Sequence, residues 1–374
     1  MTMLDTRLSQ TVSPPLQPEA GPSGMGAVAL HWVPATDWDA IQADWRRLAA
    51  SGEGPVFLAP AFALAARTID PRGLGAFVVT RDGAWIGLVA GRFGLAGTLF
   101  SLWTHPYAPS GGMITRSGEA ATVMGAVMAD LARRGVSALH WPMADDATWS
   151  AVAPALAGRA VAVLDSHRRA VLTTSAPPLS KDHRRLARRL AETGRLETVS
   201  TATGHDIDKA LDAYLALEAE GWKGRAGTAM AGNPVTASFF RAAVGGLARV
   251  GQARIDLMLC DDRPIAAGVV LRSGVRAWYW KTAYDEAFAR YSPGLLLSHA
   301  IGEATLAEPG NALVDSCAVQ GHPMIDRIWP ERMAITSRLV AVQDRSPGWR
   351  FHAVVALKRG LIDAKARAKR LLKR

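Results

Sequence analysis

The sequence predicts an α/β fold of the α+β type, with two tandem units that are each a mixed sheet flanked by helices, plus a basic C-terminal helix. The chain of 374 residues is 49% hydrophobic and 20% charged, which is enough apolar material for a sizeable core. The same order of predicted helices and strands occurs twice, and matching points lie 180, 184 and 175 residues apart. We therefore predict a disordered tail at 1–26, a first unit at 27–176, a second unit at 177–346 and the basic helix at 347–374.

The first unit is predicted from hydrophobic periodicity and turn signals. The predicted elements are a helix at 37–50, strands at 75–80, 84–89 and 97–103, a Pro/Gly-rich loop at 105–113, a helix at 119–134 and a strand at 137–142. Arg81-Asp82-Gly83 is the hairpin turn between the first two strands. A strand at 169–174 closes the unit, and Ala176-Pro177-Pro178 marks the linker.

The second unit repeats this order. Its predicted elements are a helix at 206–220, strands at 254–259, 264–271 and 275–282, a loop at 289–294, a helix at 295–307 and a strand at 312–318. The turn Asp261-Asp262-Arg263 corresponds to the hairpin turn of the first unit. A hairpin, a further strand, a crossover helix and a returning strand form a mixed sheet with helices packed on it.

Several kinds of site are excluded by residue spacing. The sequence has no GxxxxGK(S/T) phosphate loop, no GxGxxG opening a helix, no GxSxG and no HExxH motif. The only cysteines, Cys260 and Cys317, exclude a disulfide framework and a cysteine-based zinc site. The nine histidines show no metal-ligand spacing, so no metal is predicted.

Most of the net charge lies at the C-terminus. Residues 347–374 carry nine lysines and arginines against Asp363 alone, a net +8 out of the chain's +10. The rest of the chain is close to neutral, so a DNA partner is not predicted. The N-terminal stretch is rich in Pro, Ser and Gly and lacks the pattern of a secretory signal, so we predict a cytoplasmic protein.

One helix start has the features of an anion site. Ser292-Pro293-Gly294 precedes an apolar run and combines a favoured N-cap residue, a favoured first helical residue and a glycine that lets a ligand approach the backbone. The free N–H groups and positive dipole end of a helix that follows a strand suit a phosphate or pyrophosphate. The alternative is a plain helix cap without a ligand.

Two further clusters combine aromatic and charged residues. Glu218 lies near the end of a predicted helix, and a Gly-rich turn with Trp222 and Lys223 follows it. In the strand Trp278-Tyr279-Trp280-Lys281, alternation places Tyr279 and Lys281 on one face and the two tryptophans on the other. The alternative for both clusters is an aromatic core with solvated charges at its ends.

These residues resemble a known family. The run 218–228, the pattern Tyr279-Trp280-Lys281-x-Ala-Tyr-Asp-Glu-x-Phe-Ala-x-Tyr-Ser-Pro-Gly, Asp315 and Trp329-x-x-Arg332 are similar to the GNAT-type acyltransferases known as cellulose-biosynthesis (CelD-type) proteins, relatives of the FemAB aminoacyl transferases. The resemblance covers most of residues 28–345. It implies two GNAT-like units in tandem, of which the second binds the acyl donor and the first is degenerate and helps to form the acceptor cleft.

The resemblance also implies roles for individual residues. Ser292, Pro293 and Gly294 take the position that holds the pyrophosphate of acetyl-CoA, and Arg290 adds a charge-assisted contact. Attack of an amine on a thioester needs a base and a donor to the developing oxyanion. The residues expected to supply or support these functions are Glu218 as the base, Asp285 and Asp315 as the other acids, Tyr284 and Lys281 at the oxyanion or acceptor, and Trp222, with Lys223 and Tyr279, at the substrate. FemAB proteins use aminoacyl-tRNA as donor, so aminoacyl transfer is an alternative reaction.

Two basic segments predict further partners. Val354, Leu357 and Leu361 lie on one apolar arc of the C-terminal helix, and lysines and arginines fill the rest, as in helices that lie on an anionic inner membrane. A predicted helix at 180–194 carries four arginines on its outer face, and paired arginines suit a cyclic dinucleotide.

Together these features predict an N-acyltransferase that modifies an amino sugar of an exopolysaccharide, such as cellulose, a capsule or a holdfast-type adhesin, or of its lipid-linked precursor. The predicted location is the cytoplasmic face of the membrane. A membrane-associated effector that responds to a cyclic dinucleotide is the non-enzymatic alternative.

Overall fold

The computed structural model describes residues 26–202, 204–343 and 347–371, so the tail predicted at 1–26 lies outside the described residues except for Gly26. Strands β1–β13 are Val28–Pro34, Leu74–Arg81, Ala84–Gly94, Leu99–Leu102, Ile114–Thr115, Ala138–Asp145, Val161–Leu172, Leu196–Thr201, Ala253–Cys260, Arg263–Ser273, Arg276–Tyr284, Leu313–Asp315 and Glu331–Ala341. Helices α1–α10 are Gln42–Ser51, Pro60–Ala66, Ala120–Arg133, Asp146–Leu156, Lys181–Ala191, His205–Glu220, Trp222–Arg225, Pro234–Ala248, Pro293–Ala307 and Trp349–Leu371.

The strands form one mixed sheet that joins the two units through an exchange of strands. The order is β1-β2-β3-β4-β6-β13-β7-β12-β11-β10-β9-β8, with β5 beside β3. Strand β13 from the end of the second unit pairs with β6 of the first, and β7 from the end of the first unit pairs with β12 of the second. The antiparallel β7–β13 pair therefore lies at the centre of a sheet whose two halves repeat each other.

Both predicted hairpins are confirmed. Asp82 and Gly83 have positive φ between β2 and β3, and Asp261 and Asp262 have positive φ between β9 and β10. Two successive residues with positive φ are typical of the tight turns whose twist matches that of paired strands. Asp and Gly tolerate this conformation better than other residues, which is why these turns were readable in the sequence.

Other predicted elements differ from the structure. The strand predicted at 169–174 is the end of β7, and it pairs with the second unit's β12 and with β13 instead of closing the first sheet. The strand predicted at 312–318 ends at Asp315, because Cys317 adopts the left-handed conformation. Strands β1, β5, β8 and β13 and helices α2, α4 and α8 were not predicted, and the Gly-rich turn predicted after Glu218 contains the short helix α7.

Helices cover both faces of the sheet. Helices α1, α2, α6 and α8 share one apolar cluster that spans both units, and the Phe62 ring of α2 lies 5.4 Å from the Phe239 ring of α8. On the opposite face, α3 and α4 cover the first unit and α9 covers the second. The beginning of α10 packs over the central strands on the face opposite α3, because it clusters with Ala138 and Leu339 whereas Leu139 and Val340 belong to the α3 cluster. Within the described ranges, no helix is long and apolar enough to span a bilayer.

A buried network of charged side chains connects the two units at the end of β12. The Asp315 carboxylate, which is fully buried, accepts hydrogen bonds from Arg276 at 2.7 Å and from Arg169 at 3.2 Å. Arg276 of the second unit also donates to Asp145 of the first at 2.6 Å. The two carboxylates raise the pKa of the Arg276 guanidinium although burial acts against them. Asp315 is the last residue of β12 that pairs with β11, so the network lies where these two strands begin to separate.

Candidate functional site

A cleft lies where two parallel strands separate. Strands β11 and β12 pair over only three positions, the last of which joins Trp278 to Asp315. Beyond that point β11 continues to Tyr284, whereas the chain after β12 turns away at Cys317, which has a φ of 56°. The resulting cleft has a volume of about 550 Å³, and the end of α6 and the start of α7 form its other wall.

A smaller groove continues this cleft to the start of α9. The groove has a volume of about 260 Å³ and shares Tyr284 and Met324 with the cleft. Ser292, Gly294 and Arg327 line it. Together the two cavities provide an elongated site with a helix N-terminus at one end.

The start of α9 is formed by backbone and not by a serine side-chain cap. Ser292 has φ 57° and ψ 47°, its hydroxyl makes no capping hydrogen bond, and its carbonyl accepts from the N–H groups of Leu295 and Leu296. The expected side-chain cap is therefore absent, although Pro293 takes the predicted first helical position. A Cβ at Gly294 would lie 3.1 Å from the Tyr284 ring, so the glycine keeps the groove open there.

Tyr279 connects β11 to α9. Its hydroxyl lies 2.7 Å from Ser298 Oγ, which itself donates to the Gly294 carbonyl at 2.6 Å. Because the serine proton is used in this way, the Tyr279 hydroxyl donates to Ser298. Burial raises the pKa of Tyr279 to about 12, so this proton stays in place at neutral pH.

Glu218 lies in the cleft wall with both carboxylate oxygens engaged. Oε1 accepts from Lys223 Nζ at 2.8 Å and from the Tyr214 hydroxyl at 3.1 Å, and Oε2 accepts from the Met230 N–H at 2.8 Å. Burial raises the pKa of Glu218, but the Lys223 ammonium and these hydrogen bonds outweigh burial and hold it below its ordinary value. The carboxylate is ionised and positions Lys223.

Lys281 lies deeper in the same cleft, between aromatic rings. Its Nζ is 4.8 Å from the ring centre of Tyr107 and 5.2 Å from that of Trp280. The register of β10 and β11 shifts at Trp280, and this bulge interrupts the predicted alternation of faces. Tyr279 packs with α9, whereas the Lys281 ammonium meets a ring from the first unit.

The first unit therefore contributes directly to the cleft. Tyr107 lies in the predicted Pro/Gly-rich loop at 105–113, and its carbonyl accepts from the Trp280 indole N–H at 2.7 Å. Its ring stacks on Phe239 at 5.4 Å. Burial and the Glu218 carboxylate raise the pKa of Tyr107, so its hydroxyl is neutral.

The structure brings together some of the predicted site residues and not others. Those that line the cleft are Glu218, Trp222, Lys223, Tyr279, Lys281 and Tyr284. Asp285 does not line it: this carboxylate pairs with Arg263 and caps the short helix Glu286–Tyr291. Asp315 belongs to the buried network beneath the cleft. Arg290 lies against the Tyr291 ring and does not line the groove.

Several residues of the site were not singled out from the sequence. They are Tyr107, Tyr214, Cys317, His322 and Arg327. His322 Nδ1 accepts weak hydrogen bonds from the N–H groups of Met324 and Ile325, and burial lowers the pKa of this imidazole. Burial and Asp315 raise the pKa of the Cys317 thiol well above its ordinary value, so the thiol is protonated.

The corresponding region of the first unit is filled by its own chain. Strands β4 and β6 also pair over only three parallel positions. There the loop at 105–113 packs against the end of β6 so closely that a Cβ at Gly111 would lie 2.1 Å from the Pro142 carbonyl oxygen. The N-cap of α3 is Glu119, whose carboxylate pairs with Arg81.

No cluster of three or more metal-ligating side chains occurs among the residues that the structure describes.

Comparison with known proteins supports this reading of the fold. Residues 179–316 match the family described as acetyltransferase (GNAT) domain. No curated protein matches the sequence. The matched range contains β11, the start of α9 and most of the cleft. Proteins of the GNAT fold generally use acyl-CoA, and the chain is an acyltransferase.

Three solved structures share the fold at low sequence identity, each with a TM-score of 0.53. FemX is 11% identical over 82% of this chain and 96% of its own. The C-terminal domain of a putative lysylphosphatidylglycerol synthetase from Agrobacterium fabrum is 11% identical over 88% and 96%. A conserved protein of unknown function from Bacteroides thetaiotaomicron is 10% identical over 85% and 100%. The GNAT part of the predicted resemblance is supported over residues 179–316, and FemX shares the fold of the chain.

Proposed function

We propose that this chain is an N-acyltransferase that uses acyl-CoA, with acetyl-CoA as the first candidate, and acylates the amine of an amino sugar in an exopolysaccharide or its lipid-linked precursor. One observation carries the donor assignment: the cleft between β11 and β12 borders the groove at the start of α9 and shares Tyr284, Pro323 and Met324 with it. An extended donor fits this shape with its phosphates at the helix start and its thioester between the strands.

Charge at the helix start supports the phosphate position. The Arg327 side chain lines the groove together with Gly294, and none of the described residues that line the groove is acidic. The corresponding helix start in the first unit carries the Glu119 carboxylate, which would repel a phosphate. The donor is therefore assigned to the second unit.

The acceptor side of the cleft supports a sugar substrate. Trp222 is 55% exposed at the cleft wall, and its backbone N–H donates to Glu286 Oε1 at 2.7 Å, which fixes the start of α7. An exposed indole provides an apolar face on which a sugar ring stacks. CelD-type proteins act in the same kind of pathway, and cellulose, capsules and holdfast-type adhesins are the candidate polymers.

Helix α10 supports a location at the cytoplasmic face of the membrane. Its first turns pack on the sheet through Phe351, Val354 and Val355. Beyond them, Leu357, Leu361 and Ile362 are 40–58% exposed among basic residues. Exposed aliphatic and basic side chains on one helix suit an anionic bilayer surface.

Calorimetric titration with acetyl-CoA tests the donor assignment. The wild type is expected to bind, and Gly294→Asp is expected to lose binding, because the new carboxylate lies against Tyr284 and opposes the phosphates. Gly360→Asp is the matched control, since its Cβ meets no neighbouring atom and it adds the same charge on α10. Equal binding by all three proteins contradicts the site.

Failure of folded wild-type protein to bind acetyl-CoA contradicts the donor. The alternative donor is aminoacyl-tRNA, whose binding would weaken steeply with salt. The alternative effector function is favoured by Arg184, Arg185, Arg188 and Arg189, which are exposed on α5. Titration with tRNA tests the aminoacyl-transfer alternative, and titration with cyclic di-GMP tests the effector alternative.

A further inference from the structure

The proposed function leaves open which group takes the proton from the acceptor ammonium. We propose that Lys281 is this general base, an assignment that rests on the proposed acyl transfer to an amine. The predicted base, Glu218, then acts as a positioning residue that holds Lys223. The inference follows from the position of Lys281, from the groups that face it and from the engagement of the other titratable groups in the cleft.

Lys281 occupies the position where the donor and acceptor meet. It lies three residues beyond Trp278, the last residue of β11 that pairs with β12, so it stands where the strands separate. Its Nζ is held over the Tyr107 and Trp280 rings. No carboxylate of the described chain forms an ion pair with it, in contrast to Lys223. An amine without a fixed anionic partner exchanges its proton more readily than one in an ion pair.

Groups from every neighbouring element determine the charge state of Lys281. Burial lowers the pKa of Lys281 most, and the Lys223 ammonium of α7 lowers it further. The Glu218 carboxylate of α6 and Cys317 after β12 raise it. The remaining titratable groups of the cleft are Tyr107, Tyr279, Tyr284 and His322. The net result lowers the pKa of Lys281 to about 8, which leaves a substantial neutral fraction at mildly alkaline pH.

The other titratable groups of the cleft are less suited to accept the proton. Both oxygens of Glu218 are engaged, and its pKa lies below the ordinary value. The Nδ1 lone pair of His322 receives two backbone N–H groups, so its neutral ring carries the proton on Nε2. The Tyr279 hydroxyl donates to Ser298, and the Cys317 thiol is protonated.

The proposed step balances in atoms and charge. Neutral Lys281 takes one proton from the acceptor ammonium and becomes an ammonium. The acceptor amine attacks the thioester carbonyl carbon, the new C–N bond forms, and the C–S bond breaks. The second amine proton passes to the leaving sulfur, which gives an amide and free CoA thiol, and Lys281 returns its proton to water.

Lys281→Arg and Lys281→Met test the base against a purely electrostatic role. Arg keeps the positive charge but stays protonated, so both variants are expected to lose about 10²- to 10⁴-fold in kcat/KM. Thiol release is measured with acetyl-CoA and D-glucosamine as probes from pH 6 to pH 10. A Lys281→Arg variant within tenfold of wild type overturns the assignment, because a fixed cation would then suffice.

Two further measurements separate this inference from the proposed function. If Lys281→Arg binds acetyl-CoA within about twofold of the wild-type affinity, its donor site is intact. If the wild type does not bind acetyl-CoA, the proposed function itself is refuted. Reductive methylation with 13C-formaldehyde reports the titration of Lys281 by NMR without turnover. Lys223→Met is expected to shift that titration to higher pH, because Glu218 then acts on Lys281 unopposed. A Lys281 that titrates with the exposed lysines overturns the proposal.

Discussion

Lys223 Nζ lies 2.8 Å from Glu218 Oε1, and this ion pair connects the end of α6 to α7 in the wall of the cleft. Glu218 is almost fully buried, whereas Lys223 is about one quarter exposed. The Tyr214 hydroxyl and the Met230 N–H complete the set of donors around the carboxylate. The pair therefore orders the turn that presents Trp222 and sets the electrostatic surroundings of Lys281.

Glu218→Gln is expected to lower the free energy of unfolding by about 1–3 kcal/mol at pH 7, since Lys223 loses its charged partner in a mostly buried site. Folding lowers the pKa of Glu218, so the ionised carboxylate stabilises the folded protein at pH values above the ordinary pKa of 4.5. This stabilisation is lost as the pH falls through the lower pKa that Glu218 has in the folded protein. Urea unfolding of both proteins from pH 7 to pH 3 measures this. A difference that stays constant over that range contradicts the pH dependence.

The groove at the start of α9 predicts different roles for two nearby arginines. Arg327 lines the groove, whereas Arg290 lies against Tyr291 outside it. Arg327→Gln is expected to raise the acetyl-CoA dissociation constant about five- to tenfold, because one charge-assisted contact to phosphate is lost. Arg290→Gln, the matched control, is expected to change it less than twofold. The reverse order in calorimetry would restore the role that the sequence suggested for Arg290.

The hydrogen bond between Tyr279 and Ser298 predicts a link between β11 and donor binding. Tyr279→Phe leaves Ser298 its hydrogen bond to the Gly294 carbonyl but removes its partner on β11. We expect a loss of about 1 kcal/mol in unfolding free energy together with weaker acetyl-CoA binding. Thr201→Val is the control, since its hydroxyl donates to the Ile255 carbonyl between β8 and β9 and lines neither the cleft nor the groove. Stability loss with unchanged affinity would make Tyr279 a packing residue alone.

The charge network predicts that the two units are energetically coupled. Asp315→Asn leaves Arg169 and Arg276 with one fewer buried anion, so we expect about 3–5 kcal/mol of destabilisation. Asp145→Asn weakens the contact that the same Arg276 guanidinium makes with the first unit. A double-mutant cycle on urea unfolding is expected to be non-additive, since both carboxylates share Arg276. Additive effects would show that the two contacts act independently.

Local signals explain which parts of the site were predictable. Ser292-Pro293-Gly294 marks a helix start through the properties of the residues themselves, and the structure begins α9 at Pro293. The Gly-rich turn after Glu218 likewise follows from local chemistry. The repeat of element order predicted the two halves of the sheet, because periodicity and turn signals act over short distances.

Long-range contacts explain the rest. Tyr107 meets Trp280 across 173 residues, and Arg169 meets Asp315 across 146, and no local pattern encodes such pairings. The strand exchange is hidden for the same reason. Only the end of β7 was predicted as a strand and β13 was not predicted, and no local pattern shows which strands they pair with. Asp315 resembled a free acid in the sequence, and only the buried guanidiniums around it show that its carboxylate is engaged.

The exposed half of α10 predicts binding to anionic lipid. Each basic residue near such a surface contributes about 1 kcal/mol, so Arg359→Gln, Lys365→Gln and Arg367→Gln together are expected to weaken binding about 10- to 100-fold. The control replaces Arg184, Arg185 and Arg188 on α5 by Gln, which removes the same charge. These side chains are also exposed, but they lack aliphatic neighbours as exposed as those of α10. Co-sedimentation with phosphatidylglycerol vesicles measures both. An equal loss from both helices would mean that net charge alone drives association, since the exposed Leu357 and Leu361 would then add nothing that α5 lacks.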